Sequence, residues 1–170
     1  THLSEAGLPE QLLGIHSRLF SASPVFLSQP NISKMAQLIH AVDRVVDNAG
    51  YREIVLAAAP DTARQAFGPR GVFFGYDFHM GADGPQLIEI NTNAGGAFLN
   101  VVLARAQHRC CNPSQQTAVT RSELDGFEDA VLTMFKQEWQ RQHATSVPNC
   151  LAIVDDAPKT QFMFPEFQLA

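Results

Sequence analysis

The stretch 75-GYDFHMGADGPQLIEINTN-93 decides the fold, because it has the pattern of two strands joined by a tight turn. Residues 72–79 and 86–91 are rich in the aromatic and β-branched side chains that strands favour. Between them, Ala82, Asp83 and Gly84 predict a three-residue hairpin loop with Gly84 in the left-handed conformation. The sequence therefore predicts an antiparallel β-hairpin in the middle of the chain.

The pairing of the two strands follows from the length of this loop. With three loop residues, Asp77 lies directly opposite Glu89, and the alternation of side chains places Asp77, Glu89 and Asn91 on one face. His79 and Leu87 are expected opposite each other on the same face. The other face is expected to hold the two isoleucines of the second strand, Ile88 and Ile90.

Two carboxylates that face each other across a hairpin repel, and the repulsion costs stability. A hard divalent cation offsets it, because two carboxylates and an amide oxygen are ligands that suit Mg²⁺. Mg²⁺ held by so few side chains keeps waters and takes phosphate oxygens as further ligands. The hairpin alone thus indicates a phosphate-handling metal site, and the open alternative is a solvated sheet face with two unrelated acids.

The run 87-LIEINTN-93, preceded by Asp77, resembles the metal-binding hairpin of the ATP-grasp superfamily. Because the hairpin lies early in the chain, it is similar to the circularly permuted branch typified by glutathionylspermidine synthetase. The resemblance implies that Asp77, Glu89 and Asn91 hold Mg²⁺ against the phosphates of ATP. It also implies an ATP-dependent ligase that phosphorylates a small carboxylate substrate and joins it to an amine. No catalytic residue is assigned.

The residues that follow the hairpin are candidates for cofactor binding. Asn93, Gly95 and Gly96 lie just past the expected ligands and let backbone N–H groups approach an anion. An equally good interpretation is a glycine-bearing start of the helix at Ala97.

The sequence departs from the synthetase pattern at Gly75, where an Arg is expected two residues before the acid, and Arg70 is a nearby substitute. No glycine-rich phosphate loop with a lysine is visible in the chain. The resemblance therefore implies that the ATP-gripping segments follow Ala170. We expect the natural chain to continue, and we expect the chain as given to be inactive alone.

The rest of the chain is predicted to be mostly helical. Helices are expected over residues 9–20, from Asn31 or Ser33 to 48, and over 51–59, 61–67, 97–108 and 122–143, with a last one from about 164. Short strands are expected at 24–27 and 150–154. The predicted fold class is α/β (α+β): a hairpin packed by helices over 1–148, then the start of a further β-α unit over 149–170.

Composition limits the function classes. Hydrophobic residues make up 45% and charged residues 17% of the 170 residues, as in a globular protein. The net charge of -5 argues against nucleic-acid binding, and no apolar run reaches the roughly 18 residues of a membrane span. Three cysteines, two of them adjacent, make a poor disulfide framework and favour the cytoplasm.

The alternatives to the ligase are a non-catalytic metal- or nucleotide-binding or structural fragment, and a different Mg²⁺ enzyme such as a phosphatase. The oligomeric state is not predicted.

Overall fold

The computed structural model describes residues 19–21, 25–110 and 119–170. These residues form a mixed α/β structure that combines helices with a two-stranded antiparallel sheet. The helices are α1 (Gln29–Val46), α2 (Ala49–Ala57), α3 (Ala97–Cys110), α4 (Arg121–Asp125), α5 (Phe127–His143) and α6 (Phe164–Leu169), and the strands are β1 (Gly75–Gly81) and β2 (Gly84–Asn91). The helix predicted over residues 9–20 lies almost wholly outside the described residues.

The first two helices begin at side-chain caps. The backbone N–H of Asn31 donates to Ser28 Oγ at 3.4 Å, and the N–H of Tyr51 donates to Asn48 Oδ1 at 3.0 Å. The predicted caps of α1, Asn31 and Ser33, are wrong by a few residues, because Pro30 lies in the first turn and favours an earlier start.

The single helix predicted over residues 122–143 is two helices. Thr120, not Ser122, is the cap of α4: its hydroxyl accepts the N–H of Glu123 at 3.2 Å, and the Glu123 carboxylate accepts the N–H of Thr120 at 2.7 Å. Gly126 then separates α4 from α5, in keeping with the low helix propensity of glycine.

Two predicted elements are shorter or absent. The helix predicted over residues 61–67 is only a 3₁₀ turn at Asp61–Arg64, and residues 25–27 form no strand, with Phe26 77% exposed. Residues 150–154 have no regular secondary structure and belong to no sheet, and Val154 is 90% exposed. The predicted buried strand is therefore wrong at this point, since a strand forms only when a neighbour satisfies its backbone.

The small core lies beside α3. Its buried members are Leu99, Val102 and Ala106, against which Leu19, Phe20, Met163 and Leu169 pack. Helix α6 is thereby held against α3. The prediction of a last helix from about residue 164 is confirmed. No helix in the described ranges is both long enough and apolar enough to cross a bilayer.

Candidate metal site on the hairpin

The turn of the hairpin differs from the prediction by one residue. Gly81 pairs with Gly84, so that the turn contains only Ala82 and Asp83. Gly84 has a φ of 102°, which confirms the predicted need for glycine at this position. The Lys34 ammonium on α1 donates to the carbonyl oxygen of Asp83 at 2.8 Å and so ties this turn to the helix.

The predicted pair of carboxylates is nevertheless present. Asp77 pairs with Glu89, and Gly75 pairs with Asn91, because a β-bulge between Asp77 and Phe78 restores the register that the shorter turn shifts. Leu87 was expected opposite His79 but pairs with Phe78 instead. The prediction of the acidic pair is confirmed, whereas the predicted facing of Leu87 is wrong.

The site residues lie together at the end of the hairpin that is remote from the turn. Asp77, Glu89 and Asn91 are exposed, and Asn91 Nδ2 donates to Asp77 Oδ2 at 3.4 Å. This contact uses the amide nitrogen and leaves Asn91 Oδ1 for another donor or a cation. His79 pairs with Gln86 nearer the turn, and both side chains are exposed.

The donor set suits a hard cation but is small. Two directly paired acids and one amide offer up to three oxygen ligands, which fits a Mg²⁺ ion that keeps several waters. Across the part of the chain that is described, no group of three or more His, Cys, Asp or Glu side chains is arranged to hold a metal. The predicted set has only two such side chains, so further oxygens must come from water or a bound phosphate.

The opposite face of the hairpin is turned toward α1. Tyr76 pairs with Ile90 on this face, and its hydroxyl is hydrogen-bonded to Asp43 of α1. Burial raises the pKa of Tyr76, and the charge and hydrogen bond of Asp43 raise it further. Since neighbouring residues of a strand point to opposite faces, α1 leaves the face of Asp77 open to solvent.

The loop that follows β2 lies close to Gly75. The chain after β2 folds back, with the N–H of Ala94 donating to the carbonyl oxygen of Phe73 at 3.1 Å. A Cβ at Gly75 would lie 3.0 Å from the Cβ of Ala94, so an arginine there would displace this loop. Arg70 makes other contacts, with its Nη2 3.6 Å from Asp47 Oδ1.

The start of α3 holds a carboxylate that the sequence reasoning missed. The N–H groups of Phe98 and Leu99 donate to Glu166 at 3.1 and 2.9 Å, and Glu166 is only 7% exposed. A buried acid at a helix N-terminus satisfies unpaired donors and complements the helix dipole. No local signal links Glu166 to residues 67 and 68 positions earlier, although its place after Pro165 in a first helical turn marks it as a helix residue.

This contact bears on the predicted cofactor residues. Gly96 is buried with a φ of 93° and accepts the N–H of Asn100, which is the geometry of a helix start. The first N–H groups of α3 are already used by Glu166. The structure therefore supports the glycine-bearing helix start, while cofactor binding by Asn93, Gly95 and Gly96 stays a prediction.

No protein family, no curated protein and no solved structure matches this chain.

Proposed function

We propose that the hairpin of β1 and β2 binds Mg²⁺ through Asp77, Glu89 and Asn91 as part of an ATP-dependent carboxylate–amine ligase with an ATP-grasp-like fold. The single observation that carries the proposal is the direct pairing of Asp77 with Glu89, with Asn91 hydrogen-bonded to Asp77. Two paired acids on an open face repel unless a cation lies between them.

The exposure of this face suits a ligand that arrives from solvent. The side chains of Asp77 and Glu89 are exposed, and α1 contacts the sheet from the other side. A Mg²⁺ ion bound there would neutralise charge on the phosphates of ATP during phosphoryl transfer to a carboxylate. The protein's own part is to hold the two acids and the amide on one face. The cysteine content favours the cytoplasm. The small carboxylate and amine substrates are those that the resemblance to the ATP-grasp superfamily implies.

A second candidate function is a metal-binding module without ligase activity. The observation that favours it is the use of the α3 N-terminus by Glu166, which leaves these N–H groups with a protein carboxylate instead of a nucleotide phosphate. Lys34 is likewise used, at the hairpin turn. Cation binding and ATP-dependent synthesis are therefore tested separately.

Cation binding is tested by titrating the protein with Mg²⁺, and with Mn²⁺ as a paramagnetic probe. We expect Asp77→Asn and Glu89→Gln each to weaken binding about tenfold or more, because each removes a charged ligand. Asp83→Asn is the matched control, since Asp83 is an exposed acid in the turn of the same hairpin. Without metal, Asp77→Asn should stabilise the hairpin by up to about 1 kcal/mol through relief of the repulsion.

Equal metal affinity of Asp77→Asn, Glu89→Gln and the unchanged protein would end the metal proposal. The ligase proposal has its own measurement, made on the longest natural form of the protein: ADP release from ATP that requires both a carboxylate and an amine. Cation binding without any such release would leave the metal-binding module as the function.

A further inference from the structure

One residue of β2 has no partner in β1. Phe78 pairs with Leu87 and Asp77 pairs with Glu89, so that Ile88 is the extra residue of a β-bulge. Its side chain is 67% exposed, compared with the half-buried side chains of Phe78 and Leu87. The burial of Ile88 therefore does not explain why the bulge forms.

The bulge changes which face each side chain takes. Residues two apart on a regular strand share a face, so Leu87 and Glu89 would point to the same side. In the observed hairpin they do not, because Leu87 pairs with Phe78 and Glu89 pairs with Asp77, and Phe78 and Asp77 are neighbours on β1. A regular strand would place Leu87 on the acidic face or Glu89 on the apolar one.

The ladder without a bulge is easily derived from the observed turn. If the pairing of Gly81 with Gly84 continued unshifted, Asp77 would pair with Ile88 and Glu89 would pair with Tyr76. Glu89 would then lie on the face of α1, near Asp43, which is hydrogen-bonded to Tyr76. Two carboxylates would meet where burial and like charge both oppose it.

We infer that the bulge at Ile88 is the positioning device of the candidate cation site, which rests on the proposed function. Its extra backbone unit turns Glu89 onto the face of Asp77 and leaves Leu87 with Phe78. The side chain of Ile88 takes no part in this, because the bulge serves to absorb one surplus residue of β2 and so keeps Glu89 opposite Asp77. Bulges that redirect a side chain beside a functional site are a recurrent device of β-sheets.

The inference predicts that deleting a residue at position 88 and inserting one there have different effects on the pairing of Asp77 with Glu89, which a regular ladder does not predict. Deleting Ile88 makes Leu87 and Glu89 consecutive, so that ordinary alternation keeps them on opposite faces and Asp77 still pairs with Glu89. Inserting one residue after Ile88 moves Glu89 out of register with Asp77. In a regular ladder with a three-residue loop, the deletion and the insertion would both separate the acids.

The test is Mn²⁺ binding by the full chain carrying each change. We expect affinity within about threefold of the unchanged protein for the Ile88 deletion and for Ile88→Ala, and a loss of about tenfold or more for the insertion. Deletion of Ile90 is the matched control, because it removes the same residue type from the same strand and turns Asn91 away from Asp77. That deletion should also lose about tenfold.

A second readout keeps the inference separate from the proposed function. In the NMR spectrum of the unchanged protein, cross-strand contacts of Phe78 with Leu87 and of Asp77 with Glu89 should both be present. Contact of Leu87 with His79 instead would overturn the inference whether or not a metal binds, and it needs no variant to fold. If both expected contacts are present but no Mn²⁺ binds, the proposed function fails, while the placement of Glu89 opposite Asp77 by the bulge is confirmed.

Discussion

The hairpin and the segment 150–154 have sequences equally typical of strands, yet only the hairpin forms a sheet. The two strands of the hairpin are joined by a turn of only two residues, Ala82 and Asp83, so each strand has its pairing partner next to it in the chain. Segment 150–154 has no regular secondary structure, and no sheet pairing within the described ranges involves it. The comparison teaches that β propensity alone does not make a strand, because a strand also needs a neighbour that pairs with its backbone.

The two regions also differ in how they are held. The hairpin is fixed at its turn by Lys34 and on its apolar face by contact with α1. The residues of segment 150–154 are exposed, whereas the helix α6 that follows is held firmly, since Glu166 of α6 binds the start of α3. The stability of the C-terminal region should therefore depend on Glu166 more than on the apolar residues before it.

The largest expected effect is that of Glu166→Ala. It leaves the N–H groups of Phe98 and Leu99 without their buried partner, which should lower the free energy of unfolding by about 2 kcal/mol. Hydrogen exchange at these two amides should become faster, while exchange in the hairpin should not change. Denaturant unfolding and amide exchange measure the two effects.

The exposed Glu53 of α2 supplies the control for this change. Glu53→Ala should leave the free energy of unfolding within about 0.5 kcal/mol of the unchanged protein, and it should leave amide exchange at Phe98 and Leu99 unchanged. Equal exchange rates at Phe98 and Leu99 in the protein and in Glu166→Ala would show that Glu166 does not anchor α6.

A smaller effect compares two leucines directly. Leu87 is half-buried and paired with Phe78, whereas Leu151 is 61% exposed in the unpaired segment. Leu87→Ala should cost about 1 kcal/mol of unfolding free energy, and Leu151→Ala should cost no more than about 0.5 kcal/mol. Parallel urea titrations of the two variants decide the matter. If Leu151→Ala costs as much as Leu87→Ala, segment 150–154 is covered in solution and the contrast with the hairpin does not hold.

Much of the hairpin could be predicted from sequence because its determinants are local. The Asp77–Glu89 pair and the requirement for glycine at Gly84 follow from alternation and turn chemistry within seventeen residues. The two-residue turn and the bulge were missed together, and the two errors cancelled at Glu89. Alternation along one strand does not reveal a bulge, because a bulge is a property of how two strands pair.

The contacts that sequence reasoning could not supply join distant residues. Glu166 meets the start of α3 across 67 residues, and Ala94 folds back so that a Cβ at Gly75 would lie 3.0 Å from its own Cβ. Neither contact leaves a periodic pattern in the sequence. The split of the predicted long helix at Gly126 was a different kind of miss, because the glycine and the capping pair of Thr120 and Glu123 were both visible.

The smallest expected effect is a pH dependence of the free energy of unfolding, which comes from an ion pair between two helices that precede segment 150–154. Arg105 of α3 donates to Glu128 of α5 at 2.8 Å, and this hydrogen bond holds the pKa of Glu128 below the usual glutamate value despite some burial. Because the folded pKa is the lower one, the contribution to stability is complete above the unfolded value of about 4.5 and is lost as the pH falls through the folded pKa.

The Glu128 side chain is 52% exposed, so solvent screening limits this contribution to a few tenths of a kcal/mol, on the order of other exposed ion pairs. Unfolding titrations at pH 7 and pH 3.5 measure it, and Glu128→Gln should reduce the difference between the two pH values, whereas Glu53→Gln should have no such effect. The difference should also shrink in 1 M salt, since exposed charges are screened. An unchanged difference in Glu128→Gln would mean that the ion pair between Arg105 of α3 and Glu128 of α5 makes no measurable contribution to the free energy of unfolding.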